Sequence, residues 1–180
     1  MTSEKDLLRK AHCFDHDALA EIYDSYSPGI YRYAYRLLGE QDLAEDCLAE
    51  TLSRFLTALK NNGGPRDHLQ AYLYRIAHNY ITDQYRRKDL WEHELSEADK
   101  GEEHCLQDTL NSRIDENKLR FALSCLTPDQ RQVVVLRYIE GMDNRAVARV
   151  TGKPISAVKS LQHRALAALR RMLKNELEWE

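Results

Sequence analysis

The sequence predicts an all-α chain in which two small helical domains are joined by an acidic linker. Only 7 Gly and 4 Pro occur in 180 residues, which leaves few places for hairpin turns. Apolar residues recur at three- and four-residue steps through both halves, the period of amphipathic helices. Charge is laid down in blocks although the net charge is only −3. Met1–Pro65 carries 7 Lys/Arg against 11 Asp/Glu, Arg66–Lys88 carries 5 against 2, Asp89–Asn117 carries 2 against 10, and Lys118–Asn175 carries 12 against 3. Two basic blocks therefore flank an acidic one, and local charge rather than the net sum governs electrostatic binding.

Asp15 suits an N-cap, and Leu19, Ile22, Tyr23 and Tyr26 follow it on one helical side. Ser27-Pro28 offers a fresh cap with proline at the first helical position. The next helix then carries Ile30, Ala34, Leu37 and Leu38 until Gly39 closes it. A third helix spans about Asp42 to Lys60, with Leu43, Cys47, Leu52, Phe55, Leu56 and Leu59 on its inner side. Asn61-Asn62-Gly63-Gly64-Pro65 is the strongest breaker in the chain. Beyond it, Leu69, Leu73, Ile76, Tyr80 and Gln84 trace one side of a fourth helix that ends near Arg86-Arg87-Lys88.

From Asp89 the apolar spacing turns irregular and acidic residues accumulate, which predicts a linker over 89–115 with some local helix around Leu90–Leu95. The expected domains are thus 1–88 and 116–180. Helical periodicity returns at Leu119, Leu123 and Leu126, and Thr127-Pro128-Asp129-Gln130 reads as a capping box opening a helix to about Glu140, closed by Gly141.

Asp143–Arg171 has the spacing of a helix-turn-helix. Asp143 caps the first helix, Val147 faces inward, and Ala148 is small enough for close helix approach. Gly152 supplies the left-handed backbone of the turn, and Val158 returns to the shared core. Pro154 opens the second helix, whose inward set is Val158, Leu161, Ala165, Leu169 and Met172. Ser156, Lys159, Ser160, His163 and Arg164 face away from that set. Their hydroxyl, ammonium, imidazole and guanidinium groups suit phosphates and major-groove base edges. Ser156 and Ser160 are placed for backbone contacts and Lys159 and His163 for bases. Periodicity alone leaves a solvated basic helix equally open; the Ala–Gly–Val spacing and the local positive excess favour DNA.

Gly63–Lys88 is basic and carries Tyr72, Tyr74, Tyr80 and Tyr85. Flat rings can stack on an unpaired base while Arg75, Arg86, Arg87 and Lys88 neutralise phosphates and Asn79 bonds a base edge. Some of these rings belong to the core, Tyr80 first among them. Glu45, Asp46 and Glu50 beside Arg54 form an acidic outer face, which fits either solvent or a protein partner.

Several classes are disfavoured. No apolar run approaches the roughly 18–20 residues of a membrane span, and the charged N-terminus lacks an apolar segment after it, so a cytoplasmic protein without membrane insertion is expected. Cys13, Cys47, Cys105 and Cys125 form no Cys-x-x-Cys pair, which points to reduced thiols; His12-Cys13 with His104-Cys105 is the only arrangement that invites a metal. No metal or other cofactor is expected. For an enzyme the best constellation is His78 with Tyr80 and Asp83, whose five-residue step leaves the helical face, and no glycine-rich phosphate loop or nucleophile elbow accompanies it. A non-enzyme follows.

The pieces together resemble the extracytoplasmic-function sigma factors of the sigma-70 family, the compact type that keeps only the second and fourth region domains. The resemblance rests on Ala44-Glu45-Asp46, on Tyr72-Leu73-Tyr74-Arg75-Ile76-Ala77-His78-Asn79, on Asp83 with Arg86-Arg87, on Leu126–Arg131 running into Val135–Gly141, and on Ala157-Val158-Lys159-Ser160 with His163-Arg164-Ala165. The resemblance implies a four-helix, winged-helix-like C-terminal domain that docks on the duplex minus-thirty-five element through Ser156, Lys159, Ser160, His163 and Arg164. It implies that the Asn61–Asp67 loop, with Tyr72, Arg75, His78, Asn79, Asp83, Arg86 and Arg87, recognises and melts the minus-ten element. Asp46, Glu50 and Arg54 would contact the clamp coiled coil of the largest RNA polymerase subunit, the second domain would meet the flap of the next-largest, and the linker would thread the polymerase channels. An anti-sigma factor is a further implied partner. Ala49 stands where glutamine is frequent, Tyr72 where tryptophan is common, Leu161-Gln162 where Arg-Leu is common, and Leu166 where arginine is frequent. The rival is a conventional helix-turn-helix regulator that is not a polymerase subunit.

Overall fold

The computed structural model describes the backbone of residues 3–95 and 113–177 and the side-chain surroundings of 3–88 and 118–172. Among them no strand occurs. The first domain holds α1 (Glu4–His12), α2 (His16–Leu38), α3 (Gln41–Lys60) and α4 (Leu69–Leu95). The second holds α5 (Arg113–Ser124), α6 (Pro128–Val134) continued by a π-helical segment (Val135–Ile139), α7 (Asn144–Thr151) and α8 (Ile155–Leu177).

Helix α1 is an addition to the sequence reading. Its nine residues are mostly charged, yet Leu7, Leu8 and Ala11 are buried against α2 and α3. Burying a leucine contributes about 1.5–3 kcal/mol, enough to hold a short helix that would be marginal alone. Glu4 accepts from Leu69 N (3.5 Å) at the start of α4, and His12 Nε2 lies 3.3 Å from Pro65 O, so α1 fastens both sides of the 61–68 loop.

Ser27-Pro28 does not separate two helices. Helix α2 runs through Pro28 for 23 residues, opened by Asp15, whose carboxylate accepts from Ala18 N (2.9 Å), and closed by left-handed Gly39 (φ 78°). Proline deprives the carbonyl four residues earlier of its donor, but Pro28 and Asp24 both face solvent, where water can replace that bond. Ser27 and Gly29 are buried on the opposite side, and packing of α2 on α3 and α4 keeps the helix continuous. Tyr23 and Leu56, expected inside, are exposed, whereas Ile22, Phe55 and Leu59 fill the core.

Helix α4 continues past the Arg86–Lys88 cluster to Leu95. Its buried set is broader than a single stripe: Leu69, Leu73, Tyr74, Ala77, His78 and Ile81. The reason is contact on two sides, since α4 lies against α2 and α3 and also against α7 of the second domain. Of the acidic linker expected over 89–115, residues 89–95 belong to α4 and 113–115 to α5, and 96–112 lie outside the described residues.

In the second domain the capping box is complete: Gln130 N donates to Thr127 Oγ1 (3.4 Å) and Thr127 N to Gln130 Oε1 (3.2 Å). Arg131 donates to the Leu123 (2.8 Å), Ser124 (3.2 Å) and Leu126 (3.2 Å) carbonyls, closing the end of α5. The helix expected to run to Glu140 widens at Val135 into the π segment, in which Glu140 N donates to Val135 O (2.9 Å). Leu123, Leu126, Val133, Val135, Leu136, Val147, Val150, Val158 and Ala165 are buried in this half.

Candidate nucleic-acid interface

Helices α7 and α8 form the helix-turn-helix expected from the sequence. Asp143 accepts from Ala146 N (2.7 Å), the N-cap of α7. This backbone donor holds the Asp143 carboxyl below its usual pKa. Gly152 (φ 68°) makes the left-handed turn that lets α8 cross back over α7. Lys153 pairs with Asp129 (2.9 Å) and ties the turn to α6.

Ser156, Lys159, Ser160, His163 and Arg164 are all exposed on α8. Leu161 and Gln162 turn the other way. Leu161 packs on the core, and Gln162 Nε2 donates to Asn144 Oδ1 (2.8 Å) on α7. The pair that departs from the commoner Arg-Leu thus joins the two helices instead of lying among the five outward residues.

On α4, Arg75, Asn79, Asp83 and Arg86 are exposed at four-, four- and three-residue steps, which sets them on one helical face. Asp83 pairs with Arg86 (3.7 Å), and Arg87 is exposed beside them. Tyr72 is half-buried on the same side, with its ring edge-on to Phe55 (6.3 Å between centroids). Burial raises the Tyr72 hydroxyl pKa. His78 departs from this face: it is 8% exposed and its Nδ1 has no hydrogen-bond partner. Burial lowers its pKa to about 4; Asp129 opposes that shift, while Lys153 and Arg75 add to it.

The other tyrosines of this block do structural work. Tyr74 is buried against Tyr33 (5.4 Å), and Tyr85 donates to Leu37 O (2.8 Å). Tyr80 is half-buried, with its hydroxyl pKa raised first by burial and then by Asp46. Of the four rings proposed for stacking, the half-buried Tyr72 and Tyr80, the latter one helical turn before Asp83 and near Arg87, lie beside the exposed polar side chains.

Asp46, Glu50 and Arg54 fall at successive four-residue steps of α3, with Glu50 and Arg54 paired at 2.6 Å. Asp46 and Arg54 are exposed and Glu50 is partly so. His78, Tyr80 and Asp83 do not gather into one exposed cluster, because His78 faces inward and Asp83 faces solvent. Among the described residues no three His, Cys, Asp or Glu side chains come together for a metal; His104 and Cys105 lie outside them. No helix there is long and apolar enough to cross a membrane. Cys13 and Cys125 are exposed, whereas Cys47 is enclosed and burial pushes its thiol up to about 12.

Sequence reasoning gave no role to Arg36 and Glu140. The Glu140 carboxylate accepts from Tyr74 Oη (2.7 Å) and from Arg36 Nη1 (3.4 Å), joining the second domain to α4 and α2 of the first. Its side chain is 7% exposed and that of Arg36 27%. Burial and the Glu140 carboxylate both raise the Tyr74 hydroxyl pKa. A signal was available: of the three acidic residues in Lys118–Asn175, Asp129 and Asp143 stand at helix starts, where negative charge is favourable, and Glu140 stands at a helix end, where it is not.

Residues 22–90 match the family Sigma-70 region 2, and residues 116–169 match Sigma-70, region 4. The chain is 31% identical over 175 residues to the ECF RNA polymerase sigma factor BldN of Streptomyces coelicolor, covering 95% of this chain and 66% of that protein. It is 30% identical over 155 residues to the ECF RNA polymerase sigma factor SigL of Mycobacterium tuberculosis, covering 85% and 87%. Among solved structures it resembles CnrH in complex with the cytosolic domain of CnrY (TM-score 0.74, 22% identity, 96% and 97% covered). It also resembles RpoE in complex with the anti-sigma factor NepR from Bartonella quintana (TM-score 0.69, 24% identity, 86% and 96% covered). With both region matches in chain order, and relatives of this kind spanning most of its length, the chain belongs to the extracytoplasmic-function sigma factors of the sigma-70 family.

Proposed function

We propose that this chain binds core RNA polymerase and directs promoter-specific initiation by holding two DNA elements with two separate faces. The observation that carries this reading is the pair of outward faces on different domains. Tyr72, Arg75, Asn79, Asp83, Arg86 and Arg87 on α4 suit an opened minus-ten strand, where a ring stacks and cations meet phosphates. Ser156, Lys159, Ser160, His163 and Arg164 on α8 suit the major groove of a minus-thirty-five duplex. His78 joins the first set only if α7 moves away from α4.

Asp46, Glu50 and Arg54 are assigned to the clamp coiled coil of the largest polymerase subunit, and the 116–180 domain to the flap of the second-largest. Domain limits of 1–88 and 116–180, with the acidic segment between them passing into polymerase channels, belong to the same proposal. So do a cytoplasmic location and control by an anti-sigma factor. The family is non-catalytic, and no cofactor enters this scheme.

Purified core polymerase, this chain and genomic DNA test the reading directly. Discrete promoter-directed transcripts absent without the chain are expected. A conventional helix-turn-helix regulator would bind duplex DNA yet yield no initiation without another sigma factor, and that result would overturn the proposal.

A further inference from the structure

We propose that the groove between α2 and α5 is a phosphate site, in which Arg32, Arg36 and Arg120 take the phosphoryl group of a small phosphorylated molecule beside the apolar side chains of Leu119 and Leu123. With Tyr35 these residues line about 460 Å³ of open space, within the roughly 300–1,000 Å³ of small-molecule sites. The lining is also of their kind, apolar and aromatic surface with a few charged groups among it. Neither α2 nor α5 carries a face assigned above to promoter DNA, and Arg32 and Arg120 take no part in those faces.

Charge selects the ligand. Arg32 and Arg36 stand one turn apart on α2, a like-charge step that by itself weakens a helix, and α5 brings Arg120 to the same groove. Among the described residues the only carboxylate paired with any of the three is Glu140, 3.4 Å from Arg36 and shared with the Tyr74 hydroxyl. Three guanidiniums against one carboxylate leave two positive charges unmatched, and a cleft lined by one sign of charge focuses its field on the ligand. A phosphate monoester carries about −1.5 to −2 at pH 7, which matches that excess. Guanidinium forks also suit phosphate oxygens, which they bind in pairs. Arg120 is positioned in advance: its Cζ lies 4.9 Å from the centroid of the Tyr35 ring, which is stacked in turn on Tyr31 (6.1 Å between centroids, 4° between planes). A donor fixed before the ligand arrives loses less entropy on binding. Past Arg36 and Arg120 the groove continues into a hollow of about 340 Å³ reaching Gly39 and Ser124, which leaves room for the body of the molecule beyond its phosphate.

Calorimetric titration of the full chain with adenosine monophosphate, inorganic phosphate and adenosine, all at one ionic strength, tests the site. Both phosphates should bind, adenosine monophosphate the tighter, and adenosine should not. Arg32→Gln and Arg120→Gln should each weaken that binding about tenfold, the loss of one charge-assisted hydrogen bond. Arg9→Gln, which removes an exposed guanidinium from α1 instead, should leave it unchanged. Arg32→Lys keeps the charge but loses the fork, so its affinity should fall between parent and Arg32→Gln; it serves if Arg120→Gln fails to fold by circular dichroism. Binding of neither phosphate, equal weakening by Arg9→Gln, or binding of a glutamate-rich peptide in place of the phosphates overturns the phosphate site. Adenosine monophosphate no tighter than inorganic phosphate overturns the larger molecule and makes free phosphate the ligand.

Discussion

Gln162 on the recognition helix donates its amide to the Asn144 side chain at the start of α7, 2.8 Å away. Together with the packing of Val158, Leu161 and Ala165 this bond holds α8 against α7, and so, under the proposed function, helps set which residues would meet the groove. Gln162→Ala removes one partly buried hydrogen bond, which is worth about 0.5–1.5 kcal/mol. Binding to the upstream element should weaken uniformly, with the preferred base sequence unchanged in a selection from random duplexes. A new base preference at one position would instead make Gln162 a base reader.

The five outward residues of α8 should divide by what they touch. Lys159→Ala is expected to cost about 1–3 kcal/mol on the preferred duplex and to relax choice at one base pair. Arg164→Ala should weaken all sequences alike and make the dependence of binding on salt shallower by about one phosphate contact. Titrations of matched and single-substituted duplexes at several salt concentrations separate the two outcomes; identical behaviour of the two variants would remove the division.

The legibility of these features tracks how local their causes are. Ala148, Gly152 and Val158 lie within 11 residues, and the turn they specify is a backbone requirement, so the helix-turn-helix was readable before any tertiary contact. The outer faces of α3 and α8 were readable for the same reason, since periodicity alone separates Asp46 from Cys47 and Lys159 from Val158. Helix α1 was not, because Leu7, Leu8 and Ala11 are too few in a charged run to signal a helix without the α2 and α3 surfaces they meet. Ser27-Pro28 misled because its capping signal is local while the packing that overrides it is not. His78 and Tyr74 were grouped with the DNA-facing residues because a helix covered on two sides loses its single apolar stripe. The place of Glu140 at a helix end marked it as unusual in the sequence, but its partner Arg36 was not readable, since nothing periodic relates residues 104 positions apart.

Arg131 closes the end of α5 by donating to the carbonyls of Leu123, which also accepts from Leu126 N, of Ser124 and of Leu126 just beyond the helix. The planar fork of arginine reaches several acceptors at once, and a lysine ammonium cannot reproduce its geometry. Arg131→Lys should therefore lower local stability by about 1–3 kcal/mol. Amide hydrogen exchange in the full chain is the measurement, with faster exchange expected around Leu123–Leu126 and little change in α3. Unchanged protection would mean that water satisfies those carbonyls equally well.

His78 gives the chain a stability that depends on acid. Its pKa is 6.5 when exposed and about 4 in the folded chain, where burial disfavours the imidazolium, Asp129 partly offsets this and Lys153 and Arg75 reinforce it. Above pH 6.5 the ring is neutral folded or unfolded and contributes no pH dependence. As pH falls below 6.5 the unfolded chain takes up the proton first, so folded stability declines progressively until about pH 4, where the folded chain is protonated as well. At about 1.4 kcal/mol per pH unit the full decline is about 3 kcal/mol. His78→Leu removes the titrating group while keeping an apolar side chain at a buried position. Urea unfolding of both chains between pH 7 and 4 should show the parent losing stability relative to the variant across that window. Parallel curves would place the His78 ring in water, and with it the face of α4 that α7 covers.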